Sequence, residues 1–315
     1  MRWRFLIRRL AMLAGTLLVA SFVIFGSLYV APGSPLAALS GGRALPPGSL
    51  QVLEQRYHLN APFLAQYWYW LDNALHGNLG ISITLRENVS TLIASRIWTT
   101  AALVLYASVI IALAGIGLGI LAGLRPGAVD TSALAGTALT AAIPSFVAAI
   151  VLILLFAVRL RWFPALGNGS GLLSDVRHLT LPAIALALSS LAIVARVTRT
   201  AIREEADREH VQTAVSRGIP ARQLIRRHVL RNALMPTIAV VATQVGYLVG
   251  GLVAIEYLFN YQGIGFTVLQ AAHQKDFTVL TAGVLFVGVA YLFVTLVADI
   301  LFAVLNPRIR FEAAE

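Results

Sequence analysis

IWTTAALVLYASVIIALAGIGLGILAGL, residues 97–124, runs for 28 positions without a charged side chain. A helix rises 1.5 Å per residue, so about 20 apolar residues cross a hydrocarbon core of roughly 30 Å. This run is long enough to do so. Within it Gly115, Gly119 and Gly123 recur every fourth residue and share one face, the small-xxx-small stripe that lets helices approach closely in lipid. Gly117 completes a GxGxG fragment, but the register is wrong for a dinucleotide fingerprint and the fragment lies mid-membrane.

Five more uncharged runs lie on either side: Leu10–Val30, Thr131–Val158, Leu179–Ala195, Asn232–Ile255 and Phe277–Ala298. The fourth of the six spans, Leu179–Ala195, is short and would be completed by snorkelling of its flanking arginines. The chain is 58% hydrophobic and 12% charged over 315 residues, where a soluble protein carries about 25% charge. The expected fold class is therefore an all-α integral membrane protein of six transmembrane helices. Residues 1–31 hold a tail and the first span, 32–96 an external loop, 97–305 a five-helix core with a cytoplasmic loop over 196–231, and 306–315 a cytoplasmic tail. The first span follows Arg2, Arg4, Arg8 and Arg9, as a signal peptide would. Its apolar run exceeds the roughly 7–15 residues of a signal core, and it reads as a retained anchor.

Charge orients the bundle. Of 24 basic residues all but Lys275 are Arg, and 16 fall on one side if the N-terminus is inside, against 8 on the other. The excess predicts both termini in the cytoplasm, and it explains a net charge of +10 by topology rather than by nucleic-acid binding. The Arg159, Arg161 and Arg177 cluster runs against the bias. With no cysteine, disulfides and thiolate chemistry are excluded, and the six scattered histidines form no zinc-binding spacing.

Pro144 and Pro236 interrupt their spans, and the freed backbone groups need protein or a water-filled path beside them. With Phe146, Gln244 and Gly250 they are the pathway or gate candidates. Outside the spans, Phe63, Tyr67, Trp68, Tyr69 and Trp70 cluster in a predicted interfacial helix over Pro62–Leu75, because Trp and Tyr favour the headgroup level. Asn88-Val89-Ser90 matches a glycosylation sequon, a tripeptide that arises often by chance.

The long internal segment from Arg196 to Arg231 holds nine Arg and the acids Glu204, Glu205, Asp207 and Glu209. Ala206, His210 and Ala214, with Val211 and Val215, fall on one helical stripe. Gly218 suits the position that ends a helix, and Pro220 the first turn of the next. Such a pair of short helices at a membrane face is either a docking element or an anionic-lipid-binding surface. The residues alone leave both open.

Gln212-Thr213-Ala214-Val215-Ser216-Arg217-Gly218 resembles the EAA loop of binding-protein-dependent ABC importers, with departures from the core at Gln212 and Thr213. Those departures are similar to the dipeptide/oligopeptide permease subfamily, as is Arg227-His228-Val229-Leu230-Arg231-Asn232-Ala233-Leu234-Met235-Pro236. Gly77-Asn78-Leu79-Gly80-Ile81-Ser82, Ile143-Pro144-Ser145-Phe146, His178-Leu179-Thr180-Leu181-Pro182, Glu256-Tyr257-Leu258-Phe259, Gly263-Ile264-Gly265, Asp299 and Asn306-Pro307-Arg308 resemble further motifs of the same family, in the same order.

The resemblance implies the type I ABC importer permease architecture. It implies a second related permease, two cytosolic ABC ATPases that use ATP and Mg, and an external substrate-binding protein delivering di- or oligopeptides, although related systems take nickel, haem or glutathione. It makes Glu205–Arg217 a coupling helix, with Glu205, Asp207, His210, Val211, Thr213, Ala214, Arg217, Gly218 and Ile219 at the ATPase dock. No metal site or bound cofactor is expected, nor enzymatic activity in this chain: Lys275 follows Gln274, so a P-loop cannot form. The alternative is an ion-gradient-driven transporter or channel. It would want a midplane acid or histidine, whereas Glu256 and Asp299 lie near span ends and read as capping or pairing groups. An intramembrane enzyme would need a catalytic constellation inside the spans, which the sequence does not offer.

Overall fold

Helices make up every long element among the described residues, as lipid requires of a backbone that water cannot satisfy. The computed structural model describes residues 2–30, 60–82 and 84–305, together with positions 48 and 55. The stretch 31–47 with Arg43, then Arg56, and the segment 306–315 with Asn306-Pro307-Arg308 lie outside the described residues. In chain order the helices are α1 (Arg2–Val30), α2 (Phe63–Leu75), α3 (Val89–Leu124), α4 (Ala128–Ala142), α5 (Ser145–Arg159), α6 (Leu172–Ala206), α7 (Glu209–Ser216), α8 (Ala221–Leu258), α9 (Ile264–Gln274) and α10 (Phe277–Leu305). Among the described residues the one extended pairing is an isolated bridge between Ile81 and Asn88.

Five helices, α1, α3, α6, α8 and α10, are long and apolar enough to span a membrane, and α4 with α5 makes a sixth, broken span. The run Thr131–Val158 is thus two helices bent by 105° instead of one. The cause is local. Ile143 precedes a proline, which disfavours the helical region, and it adopts φ −88°, ψ 120°. Pro144 follows in an extended conformation, and its carbonyl accepts from Val147 and Ala148 to start α5.

The short run Leu179–Ala195 is likewise corrected. It is the middle of a 35-residue helix that is about 52 Å long at 1.5 Å per residue. Snorkelling is not needed to complete this span, and residues 196–206 extend α6 beyond its apolar run.

The chain divides into two compact units, 1–100 with 261–292 and 101–260 with 293–315. In the first, α2 lies on α1 through aromatic edges. Phe22 meets Tyr67 at 5.1 Å and 82°, and Tyr29 meets Phe63 at 4.9 Å and 89°. Such edge-to-face pairs add about 0.5–1.5 kcal/mol to their buried area. Ser21 Oγ and the Tyr67 hydroxyl are 2.8 Å apart, and the Tyr29 hydroxyl donates to Gln66. Of the aromatics expected at the headgroup level, Phe63, Tyr67 and Trp70 therefore turn towards α1, and Trp68 and Tyr69 stay exposed. A second core joins Val89, Leu92 and Ile93 to Ile264, Val268 and Val279. Beside it the Asp276 carboxylate accepts from Ser82 Oγ at 2.6 Å and from the Val279 amide at 3.2 Å.

In the second unit the glycine stripe of α3 packs on α6. A Cβ at Gly119 would lie 2.7 Å from the Ala195 carbonyl oxygen, and one at Gly115 or Gly123 would lie 2.9 Å from Val194 or Ile202. Real Cβ atoms do not come so close, so only glycine permits this approach. Gly117 faces open space, which separates the packing stripe from the incidental glycine.

Candidate functional site

The amphipathic pattern after α6 folds as a short helix on a base of its own. Val211 and Ala214, three residues apart, are buried on one face of α7. Val211 joins Ile202 of α6 with Val229 and Ala233 of α8 in one apolar cluster. The opposite face presents Gln212, Thr213, Val215 and Ser216, and Val215 is 57% exposed despite its side chain.

The helix expected over Glu205–Arg217 is broken at Asp207 and Arg208, with Arg208 extended at φ −72°, ψ 147°. Glu205 explains the break. Its buried carboxylate accepts from Asn232 Nδ2 at 2.6 Å and pairs with Arg208 at 3.0 Å and His210 Nε2 at 3.2 Å. His210 is five residues on and would lie on a different face of an unbroken helix. The turn brings it back, so one carboxylate ties the end of α6, the start of α7 and Asn232 within α8.

The other end of α7 closes on Gly218. Its φ of +73° suits a residue without Cβ, its N–H donates to Val215 O at 2.9 Å, and Ile219 N–H reaches Ala214 O at 3.2 Å. These are the two bonds of a Schellman motif, which satisfy the last carbonyls of a helix. Pro220 then sits just before Ala221 and its carbonyl accepts from Gln223 and Leu224. Of the predicted docking residues, Asp207, His210, Thr213, Arg217 and Gly218 are exposed, Ile219 is half-buried, and Glu205, Val211 and Ala214 face the chain's own core.

One group at this end of the unit escaped the sequence reading. Asp130, in the first turn of α4, is buried and pairs with both Arg199 and Arg203 of α6, the latter at 2.7 Å. Arg203 also reaches the Ala122 carbonyl at 3.4 Å, which joins the end of α3 to the same node.

A cavity of about 500 Å³ opens where the broken span meets α6 and α8. Ser145, the first residue of α5, faces Ser189 and Ser190 of α6 and Gln244 and Tyr247 of α8. Leu186, Ile193 and Leu248 supply its apolar wall. The lining positions on α6 and α8 recur at three and four residues, as one helical face requires. Ser190 and Gln244 are more than nine-tenths buried. Their polar atoms are not enclosed but reach the cavity's accessible space. Gln244 alone of the five pathway candidates lines this cavity. Pro144 sits at its edge in the break, and Phe146, Pro236 and Gly250 are exposed elsewhere. The adjacent serines in an otherwise apolar run were the available signal for the missed pair.

Residues 115–311, which hold both the cavity and α7, match the profile of the binding-protein-dependent transport system inner membrane component. Residues 2–104 match the N-terminal profile of the same systems. The chain belongs to this family of permeases. It is 30% identical over 312 residues to the glutathione transport system permease protein GsiC of Escherichia coli strain K12, covering 98% of this chain and 99% of that protein. A protein of Brucella suis biovar 1 (strain 1330), provisionally named a peptide permease protein, is 31% identical over 315 residues, with coverage of 98% and 99%. Among solved structures, an inward-facing conformation of the MetNI methionine ABC transporter aligns with a TM-score of 0.57 at 16% identity, over 68% of this chain and 96% of that one. That likeness carries the fold: the type I ABC importer permease architecture.

The permease is thus the membrane-spanning pore subunit of an ABC importer, multi-pass in the inner membrane, and its partners include an ATPase and a substrate-binding protein.

Proposed function

We propose that this permease imports di- or oligopeptides, driven by ATP that two partner ATPases hydrolyse with Mg, and that α7 is the coupling helix those ATPases move. A second, related permease completes the pore, and an external binding protein delivers the cargo. The Arg-rich end with α7 and both termini face the cytoplasm, in keeping with 16 of 24 basic residues falling on that side. This chain itself holds no nucleotide.

The observation that carries the reading is the anchoring of α7 at both ends, by Glu205 and by Gly218, with its outer face left exposed. Thr213, Arg217 and the exposed Val215 would meet the ATPase. Glu205, Val211 and Ala214 would transmit its displacement into α6 and α8. ATP shifts the equilibrium between inward- and outward-open states only through differential binding to the two. The peptide assignment is supported by relatives named for peptides and for glutathione, itself a tripeptide.

Gly218→Pro tests the coupling. Proline cannot take φ +73° and has no N–H for Val215 O. In proteoliposomes holding the full complex, the variant should lose ATP-dependent peptide uptake and binding-protein-stimulated hydrolysis while still assembling. Uptake that continues unchanged, or that needs only an ion gradient, would overturn the proposal.

A further inference from the structure

The cavity beside the broken span has a chemical character that the importer reading does not specify. Its polar lining consists of three serine hydroxyls, one carboxamide and one phenol, and none of its lining residues is Asp, Glu, Lys, Arg or His. A carboxamide offers two donors and an acceptor, and a hydroxyl both donates and accepts. These groups can therefore serve an amide N–H and an amide C=O alike. With no charge in the lining, nothing there holds a free carboxylate or ammonium group by ion pairing.

Two observations make this more than an incidental hollow. Ser190 and Gln244 are buried as residues, and both line the cavity, where their polar atoms reach accessible space. Those atoms can pair with whatever the cavity holds. The volume of about 500 Å³ falls inside the roughly 300–1,000 Å³ range of small-molecule sites.

We propose that this cavity is a transit subsite for the main-chain amides of a peptide, with Gln244 and Ser190 as its specificity-determining residues. It reads the one group every peptide shares and ignores side chains and terminal charges. Cargo can therefore vary in sequence while compounds without an amide backbone are disfavoured. The proposal rests on the importer reading and adds the recognition step inside the membrane.

The test uses the complete complex with its ATPases, second permease and a saturating amount of binding protein in proteoliposomes. Uptake of labelled trialanine is compared with that of its backbone N-methylated analogue, which lacks amide donors. The wild type should prefer the parent by about fivefold, the worth of one neutral hydrogen bond. The Gln244→Leu, Ser190→Ala double variant, checked for wild-type assembly by co-purification, should slow the parent selectively and bring the two substrates to equal rates. A preference that survives the double variant, or a loss that affects both substrates alike, overturns the subsite and leaves the importer standing. Absence of ATP-dependent uptake in the wild type would instead sink the importer reading on which it depends.

Discussion

Glu205 is the residue on which the Arg-rich end turns. Its carboxylate serves Asn232, Arg208 and His210 at once. Hydrogen bonds to charged groups contribute about 1.5–3 kcal/mol each, so Glu205→Ala should loosen both the start of α7 and its seat on α8. The expected outcome is faster tryptic cleavage at Arg208 and Arg217, with uptake reduced. Glu205→Gln, which can still accept from Asn232, should show a smaller change; equal cleavage rates for all three proteins would refute the anchoring role. Asp130 makes a second prediction at this scale. Asp130→Leu strands two arginines against α4 and should lower the melting temperature of the solubilised complex, whereas Val129→Leu, at an exposed neighbour, should not. Sequence alone gave no means of telling these carboxylates apart. The loop's family resemblance placed Glu205 at an outward dock, and its partner Asn232 is 27 positions away. Asp130 was an isolated acid at the start of an apolar run, and its arginines come 69 and 73 residues later.

Helices behave more predictably than single side chains, because their periodicity is written locally. The glycine stripe of α3 was legible from spacing four alone, and the structure distinguishes its members from Gly117 by what lies opposite. Gly119→Leu must push α3 away from the Ala195 carbonyl, and overpacking of this kind costs about 1–3 kcal/mol. Gly117→Leu meets open space and should stay within about 0.5 kcal/mol of wild type. Thermal unfolding of the two variants in detergent checks the contrast; equal losses would mean the stripe is not a packing face. The break at Pro144 was also readable, since a pre-proline residue resists helix. Its size was not. A proline in a span can leave a kink or a sharp turn, and the 105° bend depends on what receives the second half. The end of α7 at Gly218 was local as well, whereas its beginning was set by Glu205 and was misplaced by four residues.

For the molecule as a whole, orientation is the open prediction, and the absence of cysteine makes it simple to measure. Single cysteines at Thr213 and Leu173, both exposed, should react with a membrane-impermeant maleimide from opposite sides. Thr213→Cys should label only when the cytoplasmic face is open to the reagent, and Leu173→Cys only from outside. Labelling of both from one side would overturn the charge-based topology. By itself the sequence determined that the chain is a helical membrane protein, how many runs can span and where the basic residues concentrate. These properties are set by hydropathy, charge and spacing within a few turns of helix. Only the tertiary structure decided that Glu205 faces inward, that Asp130 binds two arginines, that the third span is sharply broken, and that Ser189, Ser190 and Gln244 share one cavity. Each of these joins side chains from helices far apart in the chain, and the physical reason is that burial and polar pairing are properties of packed neighbours, which a linear pattern does not name.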